Sequence, residues 1–493
     1  MLNDEQGWSA DVSSETKPAR VHAFGDDALG DDDATALAAR LRSGEVSALE
    51  VTRAAIERAH KVNPQLNAIA FDSFESALRD AGTPHTGPFA GIPTFIKDNT
   101  DVQGMPTRHG SQAVHAQPAA HDGKFAEQFL SQGFVVLGKS RLPEFGFSAS
   151  TEFMTEAPTR NPWNTNYSSG ASSGGAAAMV AAGVVPVAHA NDGGGSIRIP
   201  AACCGLLGLK PTRGRLVDGE AARSLPINMI SEGIVARSVR DVSNFFAGME
   251  QTWRNPQLPP IGLVNAPGKR RLRIGLVYDS ITGHDTDVET RAAVARTAKL
   301  LANLGHHVEE VELPFPPSFA DDFTLYWGFL AFMLSRFGTK MVGPGFDASR
   351  LDNLTKGLAA YYRKRIHKTP LTYMRLKRLH TGYTRLFDNL DVMLSPVLAH
   401  TTPELGYLSP TQSFESLMAR LTQYVAFTPL NNIVGSPAMT LPMDSTRQGL
   451  PIGVHFSAAN GNERTLLELA CEIEQAFSWR RIQDELTPAE QAH

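Results

Sequence analysis

A serine that closes a run of glycines, a serine inside a second glycine turn and a lysine ending an apolar run are the reactive groups of this sequence. Ser196 ends the run Asn191-Asp-Gly193-Gly194-Gly195-Ser196. Consecutive backbone N–H groups without Cβ crowding can converge on one point and hold an oxyanion. The serine that ends such a run sits beside that point. A glycine turn with no chemistry fits this fragment equally well. Serine is a poor nucleophile without a base, and no histidine stands in a telling context. His189 reads as a core histidine on a strand, and His306, His400 and His455 have no distinctive neighbours. Lysine can serve as the base when uncharged, because burial lowers its pKa from ~10.4. Lys97 ends the apolar run Gly91-Ile-Pro-Thr-Phe-Ile. An ordinary strand-end lysine paired with Asp98 competes with that reading, and spacing alone favours the ordinary pair.

Three other motif matches fail on context. Gly133-Phe-Val-Val-Leu-Gly138-Lys139-Ser140 has the letters of a P-loop. A phosphate cradle needs a flexible loop between strand and helix, whereas Phe-Val-Val-Leu is itself a strand sequence. Gly170-Ala-Ser172-Ser-Gly174 has the letters of a nucleophile elbow, which needs a preceding strand. The residues before it, from Asn161 to Tyr167, read as loop. Ser14-Glu-Thr-Lys17 fits S-x-x-K by chance within a polar, acidic leader.

The elements that must position the reactive groups follow from patterning. Helical periodicity begins near Ala34, after a leader expected to be loose over residues 1–30. Phe134 to Leu137 reads as a buried strand. Residues 168–200 hold seven glycines and five serines, yet they are not a linker. The Ala176–Ala182 run favours helix, and Val184 to Ala188 then reads as a strand. Leu272–Tyr278, the helix Val288–Leu304 closed by Gly305, and Val308–Leu313 make a β–α–β succession, which argues for parallel pairing. Residues 318–390 read as mostly helical. Val392–Pro396, Ala438–Pro442 and Ile452–Phe456 read as strands, and Glu463–Phe477 as a last helix.

With 46 basic and 51 acidic residues among 493, the net charge is −5. That balance gives no footprint for nucleic acid or an anionic membrane. No stretch approaches the ~18 apolar residues of a membrane span. The leader has no basic and apolar regions of a signal peptide. Three cysteines without a Cys-x-x-Cys pair give no support for zinc or iron–sulfur. Their sparse use fits a reducing compartment, so the cytoplasm is the expected location.

Taken together the motifs resemble the amidase signature family. Gly87-Pro-Phe-Ala-Gly-Ile-Pro-Thr-Phe-Ile-Lys-Asp98 is similar to its lysine motif. Gly170-Ala-Ser-Ser-Gly-Gly175 is similar to its Gly-Gly-Ser-Ser-Gly-Gly turn. Asp192-Gly-Gly-Gly-Ser-Ile-Arg-Ile-Pro-Ala201, continuing to Gly208-Leu-Lys-Pro-Thr212, is similar to its nucleophile segment. The likeness covers roughly residues 34–480. It implies an α/β amidase signature fold: a large mixed, mostly parallel central sheet covered by helices on both faces, in one domain over 31–493. It implies Ser196 as nucleophile, Ser172 as a cis-bonded bridging serine and Lys97 as base. Gly193, Gly194 and Gly195, with the N–H of Ser196, would form the oxyanion hole, and Ser173, Asp192 and Arg198 the supporting shell.

Two positions depart from the family pattern. Ala171 replaces the second glycine of the serine turn, and Gly193 stands where many members carry a larger residue. The extra glycine is expected to loosen the oxyanion loop or admit bulkier acyl groups. Thr159-Arg-Asn-Pro-Trp-Asn164 and Ala188-His-Ala-Asn-Asp192 look most like family members that open cyclic amides, whose relatives act on aryl amides and carbamates. The expected partner is therefore a small uncharged amide or carbamate, with no cofactor and no metal; a homodimer is compatible with this. Phe147 and the segment Phe323–Leu330, including Trp327, are candidates for the pocket wall, and a plain core role competes. The glutaminase-type subunits of amidotransferases place an acid where Val425 stands, which disfavours that reading. A non-catalytic family member is the remaining alternative.

Overall fold

The computed structural model describes residues 19–223 and 225–484. Residues 1–18 of the expected leader, with the Ser14-Glu-Thr-Lys17 match, lie outside them. The rest of that leader is packed rather than loose. Val21 N–H donates to Pro162 O at 2.7 Å and Ala23 N–H to Ala182 O at 2.8 Å. Val21, Ala23 and Leu29 are buried, so apolar side chains hold a stretch whose overall composition is polar.

The main sheet has eight strands. Their spatial order is His307–Glu310, Arg273–Leu276, Val392–Pro396, Pro451–Ser457, Ala438–Ser445, Leu207–Lys210, Ser231–Ala236 and Val187–Asp192. The helix Val288–Asn303 makes the expected crossover, and Arg273–Leu276 runs parallel to both of its neighbours. The other neighbouring pairs are all antiparallel, so the sheet is mixed and not mostly parallel. A short return sets one of these pairs. Ala438–Ser445 and Pro451–Ser457 are joined by a tight turn with Gly449 at φ 80°, and short connections join only antiparallel strands.

A second sheet of three strands carries the lysine. Val135–Ser140 lies at its centre, between Ile69–Asp72 and Pro93–Lys97. The P-loop letters therefore belong to a buried strand. Lys139 Nζ lies 3.7 Å from the Asp98 carboxylate and donates to Thr107 Oγ1 at 3.1 Å. Asp98 thus faces Lys139, and the competing Lys97–Asp98 pair does not form. Side chains stitch this sheet to the edge of the larger one: Thr94 Oγ1 donates to Val187 O at 2.9 Å, and the Lys97 N–H donates to His189 Nδ1 at 3.2 Å.

The strand expected at Val184–Ala188 is displaced to Val187–Asp192. Val184 N–H still bonds Met179 O of the preceding helix Gly174–Ala181. Pro186 has no N–H to give a ladder, so pairing starts after it. Asn164–Ser168, expected as loop, is a short strand paired with Arg160–Asn161. Among the described residues, no helix is long and apolar enough to cross a membrane.

Candidate active site

Lys97, Ser172 and Ser196 arrive from three separate elements. Lys97 is the last residue of its strand, Ser172 lies in the turn before the helix Gly174–Ala181, and Ser196 lies between the strand Val187–Asp192 and the helix Arg198–Cys204. All three are buried. The Ala171–Ser172 peptide bond is cis, as the resemblance implied. Lys97 Nζ lies 2.7 Å from Ser172 Oγ. Burial lowers the Lys97 amine to about 7, against the opposing pull of Glu232 and Asp192. An amine in that range is partly uncharged at neutral pH, which a base requires.

Ser172 and Ser196 line one cavity of about 170 Å³, together with Gly193 and Gly194. Among the described residues, no protein acceptor takes the N–H groups of Gly193, Gly194 or Ser196. Those donors remain available to an oxyanion. Gly195 differs from expectation. Its N–H donates to Asp192 Oδ1 at 2.7 Å, so it shapes the loop from behind instead of facing the reacting carbonyl. Gly195 has φ +136°, and a Cβ there would meet Thr428 Oγ1 at 2.4 Å. Thr428 Oγ1 in turn donates to Gly194 O at 2.6 Å, fixing that peptide.

Asp192 and Arg198 form the support under this loop. Arg198 Nε and Nη2 each donate to the Asp192 carboxylate at 2.9 Å. Ile197 N–H donates to it at 3.1 Å and Asn432 Nδ2 at 2.8 Å. Burial alone would raise the Asp192 carboxyl, but the Arg198 guanidinium and these donors hold it far below the usual carboxylate range. Ser173 donates to Asn191 O at 3.4 Å. His189 is a satisfied core histidine. Its Nδ1 accepts from Lys97 N–H and its Nε2 faces Glu232 at 3.0 Å.

Phe147 and Trp327 both line the cavity. The helix Phe319–Val342 presents Phe319, Phe323 and Trp327 to it at i, i+4 and i+8, beside Ala320, Thr324 and Leu330. Phe145, Met229, Ile230, Leu421 and Val425 complete much of the apolar wall. Among the described residues, no lining residue carries a charge. Asn99 and Asn191, which motif reading passed over, supply amide groups to the lining. The signal for both was adjacency: Asn99 follows Lys97-Asp98, and Asn191 precedes Asp192.

The extra glycine of the loop opens onto the same cavity. A Cβ at Gly193 would meet only Ile230 Cγ1, at 3.6 Å, an ordinary contact. Gly193→Thr should therefore fold and narrow the acyl space. Relative kcat/KM for acetyl over bulky acyl anilides should rise about tenfold or more. An unchanged ratio would remove any role for Gly193 in acyl choice.

Comparison with known proteins agrees with this fold. Residues 50–467 match the family described as Amidase. The Mycobacterium leprae (strain TN) protein named "Putative amidase AmiC" is 50% identical, covering 94% of this chain and 99% of its own. The 6-aminohexanoate-cyclic-dimer hydrolase of Paenarthrobacter ureafaciens is 33% identical, covering 91% of this chain and 95% of its own. A solved structure of 6-aminohexanoate cyclic dimer hydrolase superposes with a TM-score of 0.85 at 32% identity, over 93% of this chain and 99% of that one. The chain belongs to the amidase signature family. It is a hydrolase of amide C–N bonds.

Proposed function

We propose that this amidase hydrolyses uncharged linear or cyclic amides, anilides or carbamates through an acyl-enzyme on Ser196. Lys97 is the base and Ser172 the proton relay. The observation that carries the reading is the buried Lys97 amine, 2.7 Å from a hydroxyl that shares a cavity with Ser196. The uncharged lining supports the substrate class. A charged group brought there would lose water without a counter-charge, which is costly.

The steps follow from these positions. Uncharged Lys97 accepts the Ser172 proton while Ser172 Oγ accepts that of Ser196. Ser196 Oγ bonds to the carbonyl carbon, and the carbonyl π pair moves onto oxygen. The N–H groups of Gly193, Gly194 and Ser196 receive that oxyanion; one such donor is worth about 3 kcal/mol. The Lys97 proton returns through Ser172 to the leaving nitrogen, the C–N bond breaks, and an ester of Ser196 remains. Water adds to the ester by the same relay and releases the acid.

Glutamine is a poor candidate substrate, because Val425 lines the cavity where an acid would have to read its ammonium group. The buried free thiols Cys203, Cys204 and Cys471 favour a reducing compartment, the cytoplasm. A panel of anilides, cyclic amides, carbamates and glutamine tests the proposal, with Ser196→Ala as blank. Turnover confined to uncharged members is the expected result. Glutamine as the best substrate, or no turnover alongside no labelling of Ser196 by a sulfonyl fluoride, would overturn it.

A further inference from the structure

One residue supplies two of the three neighbours of the Lys97 amine. Nζ donates to Asn191 Oδ1 at 2.7 Å and to the Asn191 backbone O at 3.3 Å; the third neighbour is Ser172 Oγ. A carbonyl oxygen only accepts, so both Asn191 oxygens must take an N–H from lysine. An ammonium carries three hydrogens and an amine two. The two oxygens are therefore satisfied in either state, and only the third position changes. It points a hydrogen at Ser172 when lysine is charged and its lone pair when lysine is not.

The Asn191 amide is itself held. Its Nδ2 donates to Asn99 Oδ1 at 3.2 Å, and Asn99 Nδ2 donates back to Asn191 Oδ1 at 3.3 Å. This reciprocal pair ties the two amides together, so the Asn191 amide cannot turn over alone without losing both bonds. A flipped amide would aim an N–H at Nζ and break both contacts.

We propose that Asn191 is the positioning residue that keeps the Lys97 lone pair on Ser172, with Asn99 locking the Asn191 amide; this rests on Lys97 being the base. Ion pairing does not do the same work. Of the charged and titratable groups around Lys97, Glu232 and Asp192 act through space. His189 contacts only the Lys97 backbone, and Asp98 faces Lys139.

The test is kcat/KM against pH for Asn191→Leu, Asn191→Asp and Asn99→Ala, beside Lys97→Met, with a thermal melt of each. Asn191→Leu removes an acceptor that favours ammonium. Its activity should fall at least about tenfold and its acid limb should move to lower pH. Asn191→Asp places a carboxylate beside the amine. Its limb should move up by about one pH unit or more, with activity recovering in alkali. Asn99→Ala should follow Asn191→Leu with a smaller loss. A structural role alone would lower melting temperature and rate without moving the limb. Limbs that coincide with the unmutated enzyme in both Asn191 variants would overturn the inference. If Asn191→Leu does not fold, the near-isosteric Asn191→Asp decides alone. An active Lys97→Met with an unchanged limb would instead sink the underlying assignment of the base.

Discussion

Ser196→Ala is expected to lower kcat/KM for any amide substrate by about 10⁴- to 10⁶-fold, and Lys97→Met to do nearly as much. The two effects should not multiply. The hydroxyl at 196 has little nucleophilicity until its proton can leave, and in the proposed mechanism the buried amine at 97 acts only through that proton, so the double variant should be no worse than Ser196→Ala. Ser172→Ala breaks the 2.7 Å link to Nζ and should fall within the same range. Substrate KM should change little in each case, because most of the cavity wall is apolar and contributed by other residues. Steady-state kinetics of the four proteins checks this. A Lys97→Met enzyme within about tenfold of the unmutated one would mean that another group takes the proton.

Asp192→Ala should cost about 3–5 kcal/mol of stability, the usual result of stranding a buried charge. Arg198 and Asp192 are both wholly buried, so the freed guanidinium cannot reach water. Its remaining partners, Asn431, Asn432 and His455, offer no countercharge. The N–H groups of Gly195 and Ile197 also lose their acceptor, which should disorganise the loop that carries the oxyanion donors. The pH dependence has a definite sign. The folded carboxyl is held below its unfolded value, so its contribution is complete above the ordinary carboxylate range. That contribution drains away as pH falls toward the depressed folded value. Urea titrations at neutral and acid pH measure it, with Asp192→Asn as the milder partner that keeps one acceptor. An Asp192→Ala protein within about 1 kcal/mol of the parent would show the pair is not a support.

The three residues proposed as reactive stood out because their contexts are long and local. A lysine closing an apolar strand, a serine inside Gly170–Gly175 and another closing a glycine run each announce themselves in a few residues. Family likeness then decided between Lys97 as base and Lys97 as a partner of Asp98. Gly195 was misread because its N–H partner depends on how the loop folds back over Asp192, which glycine spacing does not encode. Apart from the hairpin of Ala438–Ser445 with Pro451–Ser457, the strand directions on the antiparallel side of the sheet were illegible, since those pairs join segments far apart in sequence. The cavity wall was only half legible. Phe319, Phe323 and Trp327 keep one helical stripe, but an apolar stripe lining a cavity has the same periodicity as one buried in a core. Asn99 and Asn191 escaped notice because a neutral amide has no reactivity of its own; its importance here lies in what it accepts.

The proposed chemistry requires an uncharged amine at 97 before Ser196 can react. The most direct test is the pH dependence of acylation of Ser196 by a sulfonyl fluoride, in the unmutated enzyme and in Lys97→Met. A single rise with a midpoint at about 7 is expected in the first and slow labelling without that rise in the second. The same midpoint and rate surviving the loss of Lys97 would contradict it.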